Sequence, residues 1–172
     1  MNKNILVLLP VDEKHRKILE EKAPSANFTY FKKDQLDTVQ IQNADIIIGN
    51  PPVHMLRDVK NLEWLQLQSA GAGEYTARGV LPDNVVLTNA SGAYGLAISE
   101  YMLGVLLELY KKLHLYRDNQ AESKWLHRGP VKSIYGSTVL ILGAGDIGGE
   151  FARRVKALGA YTIGIRRKDT NK

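Results

Sequence analysis

Cysteine is absent from the 172 residues. Its absence excludes a disulfide framework, a thiolate metal site and a cysteine nucleophile, and it suits a reducing compartment, so the cytoplasm is the expected location. Long apolar runs are also missing. Residues 1–10 hold one Lys and an apolar stretch only from Ile5 to Leu9. That is too short for the hydrophobic region of a secretion signal and far too short to span a bilayer. The longest apolar helix candidate, Ala97 to Leu109, is interrupted by Ser99, Glu100 and Glu108 and reads as a buried core helix. No membrane role is expected. The histidines His15, His54, His114 and His127 share no metal-ligating spacing, and none stands beside a carboxylate pair, so neither a metal nor a catalytic residue is assigned.

The chain does have the composition of a folded protein. Apolar residues make up 44% and charged residues 24%, enough for a buried core, and the length suits one domain or one domain and part of another. Charge is unevenly placed. Residues 1–110 carry 10 basic and 13 acidic side chains, whereas 111–172 carry 13 basic and 5 acidic. No recognition motif accompanies the basic segment, so nucleic acid is not an expected partner.

The pattern along the chain alternates strand and helix. Asn4 to Pro10 is a continuous apolar run of the kind covered on both faces of a sheet, followed by the charged amphipathic stretch Glu13 to Lys22. Further strands are predicted over Asn27–Phe31, Asp45–Ile48, Leu62–Gln68 and Val85–Thr88, with a short helix over Gln35–Gln40 and a helical turn or two within His54–Val59. Five such strands imply a parallel α/β sheet. A long helix over Ser91–Tyr116, apolar around most of its circumference, is expected to be buried on several sides. Residues 117–136 are polar, basic and interrupted by Gly129, Pro130 and Gly136, which suggests a boundary or an extended arm. Trp64 and Trp125 are expected to anchor packing. A new unit then begins: strand Ser137–Leu142, amphipathic helix Asp146–Leu158 closed by Gly159, and strand Tyr161–Ile165.

Between the last strand–helix pair lies Gly143-Ala144-Gly145-Asp146-Ile147-Gly148, a G-x-G-x-x-G motif where dinucleotide binding needs it. Gly143 allows the tight turn, Gly145 lets a pyrophosphate approach the backbone, and Gly148 lets the helix pack on the strand. The N–H groups at the helix start then face the phosphates. The standard motif places an acidic residue at the end of the second strand to bond the adenosine ribose. This sequence has Arg166, Arg167 and Lys168 there, with Asp169 three residues late. Guanidinium groups attract a 2′-phosphate that a carboxylate repels, so the run points to NADP over NAD. The bland alternative is a solvated strand exit.

Ser69 to Gly73 follow the Leu62–Gln68 strand at the edge where ligands of open parallel sheets bind. Small residues there can leave N–H groups exposed as an anion nest, or can simply form a flexible turn.

Taken together, Leu62–Tyr75 (LEWLQLQSAGAGEY), Asn89–Leu103 (NASGAYGLAISEYML) and the glycine motif within Ser137–Arg166 resemble the D-isomer-specific 2-hydroxyacid dehydrogenases, including phosphoglycerate and hydroxypyruvate or glyoxylate reductase types. The resemblance implies a flavodoxin-like parallel-sheet substrate domain (1–90), an inter-domain long helix and arm (91–136), and the first βαβ of a Rossmann domain (137–172). It implies hydride transfer between nicotinamide and a small 2-oxo or 2-hydroxy acid. The N–H groups of Ala70, Gly71 and Ala72 would hold the substrate carboxylate, with Ala72 also near the nicotinamide. Asp146 and Ile147 would meet the pyrophosphate. A homodimer through the long helix and arm is implied as well. The family carries its ribose-binding Asp where Arg166 stands, so the cofactor is expected to be NADP, or else NAD. The family's catalytic Arg, Glu and His have no counterpart here, and the chain is expected to be a truncated, inactive form. A non-catalytic binding or interaction module is the alternative.

Overall fold

The computed structural model describes residues 2–31 and 36–167, which divide into two compact units, residues 1–91 and 92–172.

In the first unit five strands form one sheet: β1 (Asn4–Val7), β2 (Asn27–Tyr30), β3 (Ile46–Ile48), β4 (Trp64–Gln66) and β5 (Val86–Thr88). Their order is β2-β1-β3-β4-β5, and every pairing is parallel. This is the flavodoxin-like doubly wound order. The inner strand β1 buries Ile5, Leu6 and Val7 in succession, as the unbroken apolar run requires of a strand covered on both faces. Ile47 on the adjacent β3 and Leu65 on β4 have no exposed surface, and Ile41, Leu56, Leu62 and Leu67 belong to the same core.

Local chemistry sets the helix limits. Helix α1 (Glu13–Lys22) starts where the Asp12 carboxylate accepts from the His15 N–H. Helix α2 (Thr38–Gln42) starts at a capping box, in which Asp37 accepts from Val39 and Gln40 N–H while Gln40 returns a bond to Asp37. The predicted helix from Gln35 therefore begins three residues late, because a cap residue takes extended backbone; Gln35 itself lies outside the described residues. A single 3₁₀ turn occupies Val53–Leu56.

The second unit holds α3 (Gly95–Lys111), α4 (Leu113–Ala121), β6 (Thr138–Leu142), α5 (Asp146–Ala157) and β7 (Tyr161–Ile165). Strands β6 and β7 are parallel, with Thr138 opposite Tyr161 and Leu142 opposite Ile165. The single helix expected over 91–116 is two helices. Lys112 takes a left-handed conformation, φ 56°, its N–H closes α3 on the Glu108 and Leu109 carbonyls, and its ammonium donates to the Arg128 carbonyl at 2.5 Å. Helix α4 then runs on through residues expected to be an arm.

Helix α3 is not buried on several sides. Met102, Leu103, Leu106, Leu107 and Tyr110 pack on a core of Ile134, Ile141, Phe151 and Val155. On its other flanks Leu96, Tyr101 and Leu109 are exposed, since α5 covers only one side. Trp125 is fully exposed and anchors nothing within its unit, and Trp64 is only partly covered, its indole N–H donating to the Thr88 hydroxyl at 2.7 Å.

Leu65→Ala would open a cavity at the centre of the sheet and is expected to cost about 2–5 kcal/mol, read as a lower urea midpoint with an unchanged slope.

Candidate functional site

Two loops at the carboxyl ends of parallel strands present backbone donors. The first, Ser69–Gly73, leaves β4 and is braced from both neighbouring strands. Asn50, just beyond β3, donates to the Ser69 hydroxyl at 2.9 Å and accepts from the Gln68 N–H at 2.9 Å. Asn89, directly after β5, donates to the Ala70 carbonyl at 2.8 Å. The Ser69 hydroxyl in turn donates to the Gly71 carbonyl at 2.8 Å. The Ser69 carbonyl accepts from Ala90 N–H, and the Ala72 carbonyl from Tyr75 and Thr76 N–H.

Four successive carbonyls are thus engaged. The N–H groups of Ala70, Gly71 and Ala72, by contrast, have no hydrogen-bond partner among the described residues. Added Cβ atoms at Gly71 or Gly73 would meet nothing within 4 Å, so the space beside them is open. Backbone N–H groups left open in this way can donate to a small anion. The sequence reading found the loop but missed Asn50 and Asn89. Their signal was an amide residue just past each flanking strand.

The loop ends on Tyr75, which is buried and donates its hydroxyl to the Pro51 carbonyl at 2.9 Å. Burial pushes its phenol up to about 12 from the ordinary 10.0.

The second loop, Gly143–Gly148, joins β6 to α5. Gly143 has φ +97°, and its N–H and that of Ala144 both donate to the Ile165 carbonyl, at 3.0 and 3.1 Å, which ties the turn to the end of β7. A Cβ on Gly148 would stand 2.2 Å from the Gly143 carbonyl oxygen and 3.0 Å from Ile141 Cγ2, so only glycine permits this helix–strand approach. A Cβ on Gly145 would meet nothing within 4 Å. No side chain caps α5, so the N–H groups at its start are left without a side-chain partner. Packing therefore explains Gly148 and leaves Gly145 unexplained.

At the end of β7 the Arg166 Nε donates to the Ala144 carbonyl, which fixes the guanidinium beside the glycine loop. Arg167 follows it, exposed. Lys168 and Asp169 lie outside the described residues. The first loop belongs to one unit and Gly143, Gly145, Asp146, Ile147, Gly148, Arg166 and Arg167 to the other. Among the described residues no group of three His, Asp or Glu could hold a metal ion, and no helix is long and apolar enough to cross a membrane.

A parallel βαβ unit closed by this glycine turn belongs to the dinucleotide-binding class of α/β proteins. Residues 103–172 match the family described as D-isomer specific 2-hydroxyacid dehydrogenase, NAD binding domain. D-3-phosphoglycerate dehydrogenase of Methanocaldococcus jannaschii is 26% identical over 166 residues, which cover 93% of this chain and 31% of that protein. Hydroxypyruvate reductase of Thermotoga maritima is 22% identical over 160 residues, 90% of this chain and 52% of that one. The crystal structure of a D-isomer specific 2-hydroxyacid dehydrogenase family protein from Aeromonas salmonicida superposes with a TM-score of 0.83 at 27% identity, covering 100% of this chain and 56% of that one. The chain is thus similar to D-isomer specific 2-hydroxyacid dehydrogenases, and residues 103–172 match the NAD-binding domain of that family. It spans about a third to a half of the length of these curated relatives.

The raised Tyr75 value has a pH consequence. An ordinary unfolded tyrosine ionises near 10.0 and the folded one near 12, so the contribution to stability is complete below pH 10 and is lost as pH rises from 10 toward 12. Urea unfolding measured across that range should show a falling midpoint that Tyr75→Phe makes flatter.

Proposed function

We propose that this chain carries the substrate-carboxylate and cofactor-phosphate contacts of an NAD(P)-dependent 2-hydroxyacid dehydrogenase. The observation that carries the reading is the pair of loops with open backbone donors, one at the end of β4 and one between β6 and α5. Residues 1–90 form the substrate-binding part, 91–136 the connecting helices and arm, and 137–172 the first βαβ of the cofactor domain.

The N–H groups of Ala70, Gly71 and Ala72 would hold the carboxylate of a 2-oxo or 2-hydroxy acid. Held by backbone atoms that Asn50 and Asn89 immobilise, that acid loses little further freedom in reaching a reactive orientation. Gly145, Asp146 and Ile147 would hold the pyrophosphate through their N–H groups, with Gly143 and Gly148 shaping the turn. When bound, the nicotinamide supplies the hydride acceptor or donor, with Ala72 on its side of the substrate loop. The exposed Leu113, Trp125 and Leu126 on α4 and the following segment are the surface for pairing with a second copy.

Arg166 and Arg167 favour NADP over NAD. Arg166 is anchored on the Ala144 carbonyl, where a guanidinium meets a 2′-phosphate with little ordering cost. Such charge-assisted bonds are worth about 1.5–3 kcal/mol, or roughly tenfold to a hundredfold in affinity. Calorimetric titration of the chain should therefore give tighter binding of NADPH than of NADH, and Arg166→Asp should reverse the order. Equal affinities before and after the change would reduce the basic run to a solvated strand exit.

Neither loop contains a histidine, and we assign no proton-transfer group among the described residues. Added glyoxylate or hydroxypyruvate should leave bound NADPH unoxidised. Saturable oxidation that disappears on Gly145→Val would show that the chain is catalytic by itself.

A further inference from the structure

The first of the two residues between the second and third motif glycines, Asp146, is acidic, which works against the site it occupies. A carboxylate at the first position of α5 sits beside donors that a pyrophosphate would use, and an Asp there ordinarily turns toward them. Here it does not: no side chain caps α5. The carboxylate of Asp146 lies instead against the first residue of α3. A Cβ built on Gly95 would stand 2.6 Å from Asp146 Oδ1 and 2.9 Å from both Cγ and Oδ2, so the whole carboxylate rests on the bare glycine. Helix α3 is 17 residues long and its start also lacks a side-chain cap. Its positive end is a favourable place for a negative charge.

We propose that Gly95 and Asp146 form a positioning pair that keeps the phosphate-binding start of α5 open. Gly95 provides the seat, the uncapped start of α3 provides the attraction, and together they withhold the Asp146 carboxylate from the N–H groups of its own helix. The arrangement rests on the cofactor reading given above and adds to it a residue outside the glycine motif. It also explains a glycine at the first position of α3, where the backbone is ordinary helix and glycine is the poorer helix former.

The geometry makes the pair separable by mutation. In Gly95→Ala the new Cβ meets only the end of a short, exposed side chain, so the carboxylate moves and the backbone stays. Its remaining rotamers bring it back toward the start of α5, into competition with the ligand phosphates. The test is a double-mutant cycle read as the NADPH dissociation constant of the chain, by calorimetry, at low and high ionic strength. Gly95→Ala should weaken binding about tenfold at low salt and less at high salt, as an electrostatic penalty must. Asp146→Asn serves as the reference of the cycle, and adding Gly95→Ala to it should weaken binding by no more than about twofold further at either salt concentration.

If Gly95→Ala does not fold, Asp146→Glu displaces the carboxylate by one methylene with Gly95 intact. It should weaken NADPH binding in a way that Asp146→Gln does not. Gly95→Ala weakening the Asp146→Asn chain as much as the unaltered one, or a penalty indifferent to salt, would mean that Gly95 matters only for packing and would overturn the proposal. Gly95→Ala binding as tightly as the unaltered chain would overturn it as well. An unaltered chain that binds neither NADPH nor NADH would overturn the cofactor reading itself, and the pair's role with it.

Discussion

A Cβ at residue 148 would overlap the Gly143 carbonyl oxygen at 2.2 Å, and much of the second unit follows from that exclusion. The bare glycine lets α5 start against the end of β6, which buries Phe151 and Val155 on the strand pair and against α3. The same approach turns the chain sharply at Gly143, where φ is positive, and ties the turn to the Ile165 carbonyl. The donors at the start of α5 are consequently held at one strand end, beside the point where β7 delivers Arg166. A larger residue at 148 would shift backbone rather than a side chain, and the loop, the helix start and the Arg166 anchor would move together.

The first unit reaches an equivalent result by different means. Its loop has no helix start to supply donors, so orientation comes from occupying the carbonyls. Asn89, Ala90 and the Ser69 hydroxyl each take one, Tyr75 and Thr76 share a fourth, and the N–H groups of residues 70–72 are left without partners among the described residues. Two of the bracing residues follow the parallel strands on either side of β4, so this geometry depends on the β3-β4-β5 order. Tyr75 then holds the far end of the loop to the core through the Pro51 carbonyl.

The places where sequence reasoning erred share a cause. A largely apolar circumference suggested burial of α3 on several sides, yet burial depends on what stands opposite, and α5 covers one flank only. The long helix breaks at Lys112 because a left-handed residue closes α3 and its ammonium is met by the Arg128 carbonyl, a contact with a residue 16 positions on. No local propensity marks that break. Where the signals were local, as in the strand Tyr161–Ile165 or the start of α5 at Asp146, the expected limits coincide with those observed.

The sequence by itself determined the alternation of strands and helices, the parallel sheet that this alternation requires, and the glycine turn, because periodicity and backbone permissiveness are properties of neighbouring residues. It also placed Ala70, Gly71, Ala72, Arg166 and Arg167 at strand ends. Only the tertiary structure decided which way the backbone donors of residues 70–72 face, that Arg166 is anchored on Ala144, and that the Asp146 carboxylate rests on Gly95. Each of these depends on atoms 19 to 51 residues apart in the chain, brought together by strand order and helix packing that no local pattern encodes.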